Sequence, residues 1–296
     1  MRVFLTGATG FIGSVIVEEL TAAGHQVMGL ARSDDAARAL EARGVTVRRG
    51  EVADTGGLAE AARASDGVIH CAFGHDFSKY MEAGEADLRA VSAMADALAG
   101  TGKPLVVTSG MTASTPGRPT TEADPAQTEG FATVRGRPED RALSASQENV
   151  RSMVVRLPPS VHDRGQQGLV TLLTGIAQQT GVFAYVGEGA NRWPAVHRRD
   201  AARLFRLALE RGHPGERFHA VSEEGVTLRA IAEAIGQKLG VPTRSLDAGE
   251  AAAHFGWLAL PASNDMPASS AMSQESVGWR PTHPGLLEGL RGDYLS

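Results

Sequence analysis

Over the first 157 residues, short runs rich in β-branched and other apolar residues alternate with longer stretches whose apolar positions recur every three or four residues. The first pattern reads as a buried strand and the second as a helix with one buried stripe. Val3–Thr6, Gln26–Ala31, Val45–Arg49, Gly67–Cys71, Leu105–Thr108 and Ser152–Leu157 are the predicted strands. Helices are predicted over Ile12–Ala23, with Val15, Ile16 and Leu20 on one side, then over Asp35–Arg43 and Leu58–Ala64. Leu88, Val91, Ala95 and Leu98 mark another buried stripe, and a further helix is expected after Pro138. This alternation predicts an α/β fold with a doubly wound parallel sheet covered by helices. Thr112–Gly130, rich in Pro, Thr and Gly, reads as a long loop at the strand ends, where such loops are often functional.

From Pro158 the pattern changes. Gly168–Gln179, Arg199–Arg211 and Leu228–Leu239 read as helices separated by loops. The expected organisation is a cofactor domain over 1–157 and a smaller substrate subdomain over most of 158–296, with segments returning to the first sheet.

Composition narrows the function classes. Apolar residues make up 42% of the 296, and no apolar run approaches the roughly 18 residues that span a membrane. The N-terminus turns to glycine before a signal-type apolar core builds up, so export is not expected. A single cysteine, Cys71, rules out an intrachain disulfide and a multi-cysteine metal site, and suits a reducing cytoplasm. A net charge of −5 gives no electrostatic reason to expect nucleic acid. The histidines lack metal-ligand spacing, so no metal is expected. Ser109 lacks the glycine-x-serine-x-glycine elbow of hydrolases.

Thr6-Gly7-Ala8-Thr9-Gly10-Phe11-Ile12-Gly13 joins the first strand to the first helix. Glycine at 7 permits a tight turn, glycine at 10 lets backbone approach a pyrophosphate, and Gly13 lets helix and strand pack closely. The helix start offers N–H groups and a positive dipole end. Thr6, Gly7, Thr9, Gly10, Phe11 and Ile12 are therefore candidate cofactor residues. At the end of the second strand, where an NAD site usually carries an acid, the chain reads Ala31-Arg32-Ser33. Arg32 can fork onto a 2′-phosphate and Ser33 can add a hydroxyl, which favours NADP(H).

Thr6–Gly13, Arg32 and Gly50-Glu51-Val52-Ala53-Asp54 resemble the extended short-chain dehydrogenase/reductase superfamily, in particular its atypical epimerase/dehydratase-like branch. Val106–Gly110, Val155–His162, Trp193–Ala202 and Val277–Pro281 extend the resemblance over nearly the whole chain. It implies a Rossmann-type sheet, with Gly7, Gly10, Phe11 and Ile12 at the pyrophosphate and Glu51 and Val52 at the adenine. It puts Cys71, Ala72 and Phe73 along the ribose and nicotinamide, Ser109 beside the nicotinamide, and Pro158 and Val161 against its carboxamide side. Arg192 matches a position that faces substrate phosphates in sugar-nucleotide relatives. A homodimer is also implied, through a four-helix interface around Leu88–Leu98 and Glu139–Gln147, though nothing in these residues requires it.

The superfamily uses a tyrosine with a lysine four residues on. The tyrosines here are Tyr80, Tyr185 and Tyr294; Gly84 and Gly189 follow the first two at that spacing, and the third is too near the end. Arg135 and Glu139 align at the dyad's place, and arginine cannot give up a proton usefully. Candidate replacements follow the fourth strand: His75, with Asp76 to orient it and Lys79 or Tyr80 nearby, set against a helix-capping role for His75 and Asp76. Ser109 and Thr112 are candidates to hold a substrate oxygen, with Ser109 and Gly110 exchangeable under a one-residue shift. His162, Tyr185, Arg192, Trp193 and the His254–Trp257 segment are candidates to face the substrate, with ordinary subdomain core as the alternative; His197 is expected to be structural. The reading is an NADPH-dependent reductase that transfers hydride to a small organic carbonyl, imine or activated double bond, with water or His75 as proton donor. The alternatives are a nucleotide-sugar epimerase or dehydratase, and a non-catalytic NADP(H)-sensing regulator.

Overall fold

The computed structural model describes every residue except His75, Ala113, Ser114, Gln167 and Ser296, and of Phe77 the backbone alone. β1 (Arg2–Thr6) leads through the glycine-rich turn into α1 (Gly13–Ala22), followed by β2 (Gln26–Ala31), α2 (Asp34–Glu41), β3 (Thr46–Arg49), α3 (Thr55–Arg63) and β4 (Gly67–His70). Then come α4 (Tyr80–Leu98), β5 (Pro104–Gly110), α5 (Thr133–Ser144) and β6 (Arg151–Leu157). After β7 (Ser160–His162), α6 (Leu169–Thr180), β8 (Phe183–Val186) and β9 (Arg192–His197), α7 (Arg198–Arg211) and β10 (Arg217–His219) return to the main sheet. The remainder comprises β11 (Glu223–Thr227), α8 (Leu228–Leu239), β12 (Thr243–Leu246), α9 (Ala248–Phe255), α10 (Ala259–Ser263), α11 (Ala271–Val277) and α12 (Leu286–Arg291).

Seven strands form one parallel sheet in the order β10-β6-β5-β4-β1-β2-β3. Strand residues alternate between its two faces. Val3, Leu5, Val106, Met153 and Val155 pack with Val15, Ile16 and Leu20 of α1 and Leu204, Phe205 and Leu209 of α7. Phe4, Val68, Leu105, Val107 and Val154 pack on the other face with Leu58 of α3, Val91 and Met94 of α4 and Ala142 of α5. A third core joins α6, β8, β9, α8, α9 and α12 through Leu173, Phe183, Trp193, Ile231, Phe255 and Leu290. The strand order reverses at β1 and β4, which opens a crevice at their carboxyl ends.

Two expectations need correction. The fifth helix starts at Thr133 and carries Pro138 inside it, instead of following that residue. Close packing against α4 and the preceding loop outweighs the lost backbone hydrogen bond. A Cβ on Gly84 of α4 would lie 2.9 Å from the Cα of Val134, and one on Gly136 would lie 2.2 Å from the carbonyl oxygen of Gln127. The stretches between the later helices are also not all loops: β7, β9 and β11 form one small sheet, and β8 and β12 another. β9 is central in its sheet yet contains Pro194, which argues against a strand when read from sequence. The register shift between Glu223 and Val226 on the neighbouring strand accommodates it.

Candidate active site

The glycine turn is shaped for close backbone approach. Gly7 has a φ of +70°, and a Cβ there would stand 2.8 Å from the backbone of Cys71 and Ala72. A Cβ on Gly13 would fall 2.0 Å from the carbonyl oxygen of Gly7. The helix start at Ile12 has no side-chain cap and no acid in its first turn; Ser14 and Val15 donate to the carbonyls of Gly10 and Ile12, and the N–H groups of Ile12 and Gly13 are left to an incoming anion. Thr9 and Gly10 are exposed at the turn, while Thr6 is wholly buried. Thr6 therefore supports the turn from beneath: its oxygen accepts the N–H groups of Cys71 and Ala72, each at 3.1 Å. Phe11 is held by Arg198, which lies over its ring at 4.7 Å and bonds Asp163 at 2.6 Å. This cradle fits the pyrophosphate of a dinucleotide.

At the end of β2, Arg32 is exposed and makes no hydrogen bond or ion pair with any described residue. The two acids that follow it are already paired, Asp34 with Arg49 and Asp35 with Arg38. Ser33 caps α2, its hydroxyl oxygen accepting the N–H of Ala36 at 3.2 Å. Glu51 is exposed beyond β3, and Val52 is half-buried against the core.

A buried polar chain runs from the glycine turn to α5. The Thr6 hydroxyl lies 2.7 Å from Nδ1 of His70, whose Nε2 lies 2.8 Å from Asp87; the other Asp87 oxygen accepts from Nη1 of Arg135 at 3.2 Å. Donor and acceptor counts fix its direction. The Thr6 oxygen already accepts two N–H groups, so its proton goes to Nδ1, and Nε2–H of His70 goes to Asp87. Arg135 lies 4.0 Å over the ring of Phe73, and Phe73 meets Tyr80 edge-on at 5.9 Å. Burial raises the Tyr80 phenol, while the Arg135 charge opposes that shift. Burial also raises the thiol of Cys71 to about 11, so it stays protonated at neutral pH.

β5 extends to Gly110, and the strand register turns Ser109 inward. It is buried, and its hydroxyl donates weakly, at 3.4 Å, to the carbonyl of Arg135. Thr112 is half-exposed and its hydroxyl has no partner among the described residues. It lines a cavity of about 10 Å³ with Met111, Thr120, Arg156 and His219. Glu139, one turn after Arg135, is buried away from that position. Its oxygens accept from Nε and Nη2 of Arg156 and from Nε of Arg217. His75 lies outside the described residues. Asp76 caps the short turn after it, accepting the N–H of Ser78 at 3.1 Å.

The subdomain residues expected to face the substrate, with ordinary core as the alternative, lie in different surroundings. Trp193 is fully buried in the subdomain core, with its indole N–H on the carbonyl of Pro261 at 3.2 Å. Tyr185 belongs to the same core. Arg192 is exposed but already forked onto Asp265, with contacts of 3.0 and 2.7 Å. His162 is fully buried, 3.3 Å from the Tyr294 hydroxyl and edge-on to His197. Burial, then His197, pushes its pKa down to about 3. Phe255 is core, whereas Trp257 is largely exposed. Pro158 and Val161 are buried at the start of β7, where the resemblance puts the carboxamide side. His197 accepts the N–H of Arg199 at 3.2 Å as the cap of α7, and it stacks on His283 at 4.6 Å. Among the described residues no group of three or more His, Cys, Asp or Glu is placed to hold a metal ion, and no helix is long and apolar enough to cross a membrane.

A parallel sheet reversing at β1, with a glycine turn and an uncapped helix end in the crevice, defines a Rossmann-type dinucleotide-binding protein. The chain belongs to the NAD dependent epimerase/dehydratase family, whose model matches residues 3–221. It is 44% identical over 295 residues to the uncharacterized protein C2A9.02 of Schizosaccharomyces pombe, covering 99% of each chain. It is 27% identical to the decarboxylating sterol-4-alpha-carboxylate 3-dehydrogenase of Dictyostelium discoideum, over 83% of this chain and 78% of that one. It is also 27% identical to the 2-alkyl-3-oxoalkanoate reductase of Stenotrophomonas maltophilia, over 82% and 77%. Among solved structures, DesIV of Streptomyces venezuelae, a dTDP-glucose 4,6-dehydratase with NAD and TYD bound, superposes with a TM-score of 0.78 at 20% identity, over 99% of this chain and 96% of that one.

Proposed function

We propose that the protein is an NADPH-dependent reductase of a small organic carbonyl, imine or activated double bond, with a proton donor other than the family's tyrosine. The observation that carries the cofactor choice is Arg32, an uncommitted guanidinium at the end of β2 beside two acids that are each paired with another arginine. In this reading Arg32 and Ser33 hold the 2′-phosphate, Gly7, Gly10, Phe11 and Ile12 the pyrophosphate, and Glu51 and Val52 the adenine. Cys71–Phe73, Pro158 and Val161 line the nicotinamide end. When bound, the dinucleotide supplies the reducing equivalent. Thr112, whose hydroxyl is uncommitted, is better disposed than Ser109 to hold the substrate oxygen. His75 or water supplies the proton. Two distant relatives whose names describe oxidation or reduction at carbon support the reductase over the nucleotide-sugar reading, and the latter's one supporting residue, Arg192, is engaged by Asp265.

The test is NADPH oxidation over a panel of ketones, aldehydes, imines and enones, with wild type and with Ser109→Ala, Thr112→Ala and His75→Ala. Turnover in wild type is expected, with kcat reduced on the order of 100-fold in Thr112→Ala or His75→Ala and less in Ser109→Ala. Tight NADPH binding without turnover on any compound would favour the sensing regulator.

A further inference from the structure

We propose that Arg135 recognises the substrate, and that the substrate is an oxo acid whose carboxylate lies across the free edge of its guanidinium. The proposal deepens the reductase reading and rests on it for the position of the reacting carbonyl. Arg135 stands at the carboxyl edge of the sheet, next to Gly110 at the end of β5 and over Phe73 just after β4, beside the crevice where β1 and β4 part. A ligand bound there meets this side chain.

Its orientation is fixed from two directions. Nη1 is tied to Asp87, which is tied in turn to His70 and Thr6, and the guanidinium plane is supported by the Phe73 ring. What remains is the Nε–Nη2 edge, which has no partner among the described residues although the side chain is only 11% exposed. Those two N–H groups point in parallel and match the two oxygens of a carboxylate. A Cβ on Gly110 would stand 3.6 Å from Nε, so glycine there leaves the edge clear.

Arg156 shows what a purely structural arginine looks like in this protein. Its Nε and Nη2 are on Glu139 and its Nη1 donates to the carbonyl of Asp124. Arg135, almost as enclosed, uses one nitrogen of three. The two spare N–H groups keep some contact with solvent, and a bound anion would take the place of that water. Asp87 balances the Arg135 charge, so the incoming group is held by two directed bonds instead of by net charge. A planar two-oxygen anion suits that better than a phosphate. Thr112 follows Gly110 by two residues, so on the reductase reading the acid and the reacting carbonyl belong to one short molecule.

The test uses pyruvate, acetoacetate and benzoylacetate, each against its carboxamide. Binding is measured by calorimetry to protein saturated with whichever oxidised dinucleotide it holds, so that no reduction occurs. Wild type is expected to bind at least one acid roughly tenfold more tightly than its amide. Arg135→Gln should lose that ratio at saturating dinucleotide, with a circular dichroism spectrum like that of wild type. Arg135→Lys keeps the charge beside Asp87 and serves if the first variant does not fold; it should lose most of the ratio because lysine has no fork. Equal binding of every acid and its amide by wild type, or an unchanged ratio in a folded variant, would overturn the proposal. Reduction of neutral ketones with no acid preference would sink this inference and leave the reductase standing. Arg135-dependent acid binding without NADPH oxidation would do the reverse.

Discussion

Single atoms decide much of the cofactor site. Gly13→Ala would drive a methyl group to 2.0 Å from the carbonyl oxygen of Gly7, so the turn must open. The expected outcome is a loss of about 1–3 kcal/mol in stability by chemical denaturation, together with loss of dinucleotide binding. Retained binding would mean that the turn does not carry the pyrophosphate. Asp87→Ala would leave Arg135 nearly buried without its carboxylate, at a cost of about 3–5 kcal/mol read from urea melts. The glycines and Arg32 were legible in the sequence because their spacing is local and follows the first two strands. His70 and Asp87 were not singled out. His70 reads as one residue of a short apolar strand, and Asp87 is an acid one turn before Val91 on a stripe otherwise marked by apolar residues. An acid within a buried stripe was the available signal, but its partners are 17 and 48 residues away in sequence.

Among the elements, the closeness of α4 and α5 sets the position of Arg135. Gly84 lets Val134 approach, and the Asp87–Arg135 pair follows on the same two helices. Gly84→Val should push α5 outward and lower stability by about 1–3 kcal/mol. It should also weaken binding of any ligand that needs Arg135, measured by the acid-to-amide ratio. Further along α5, Glu139 joins Arg156 and Arg217 beneath the loop at residues 111–130. Glu139→Ala would leave two cations facing each other, and a loss of about 3–5 kcal/mol is expected in thermal or urea melts, whatever the substrate. Periodicity located every strand of the main sheet except the three-residue β10, but it started α5 too late because Pro138 is a local signal and the packing of Gly84 and Gly136 is not. The small subdomain sheets were missed for the same reason. Their strands are short, and Pro194 is tolerated because the neighbouring strand shifts register.

Over the whole molecule, buried histidines make stability depend on pH. His162 is pushed down to about 3 by burial and by His197, and the pKa values of His197 and His219 are also lowered by burial. Above the unfolded value near 6.5 these groups are neutral in both states, and their contribution is fully present. As pH falls below it, the unfolded chain takes up protons that the native state does not, so stability falls, by up to about 1.4 kcal/mol per pH unit for each group. The urea midpoint should therefore drop between pH 7.5 and 5.5, and His162→Asn should drop less; an equal fall in both would remove His162 from the explanation.

The choice of dinucleotide rests on Arg32, and fluorescence titration of wild type and Arg32→Ala with NADPH and NADH tests it. Wild type is expected to bind NADPH about tenfold or more tightly than NADH, and Arg32→Ala to lose the difference by weakening NADPH alone. NADH bound as tightly as NADPH by wild type, or a preference untouched by the substitution, would contradict it.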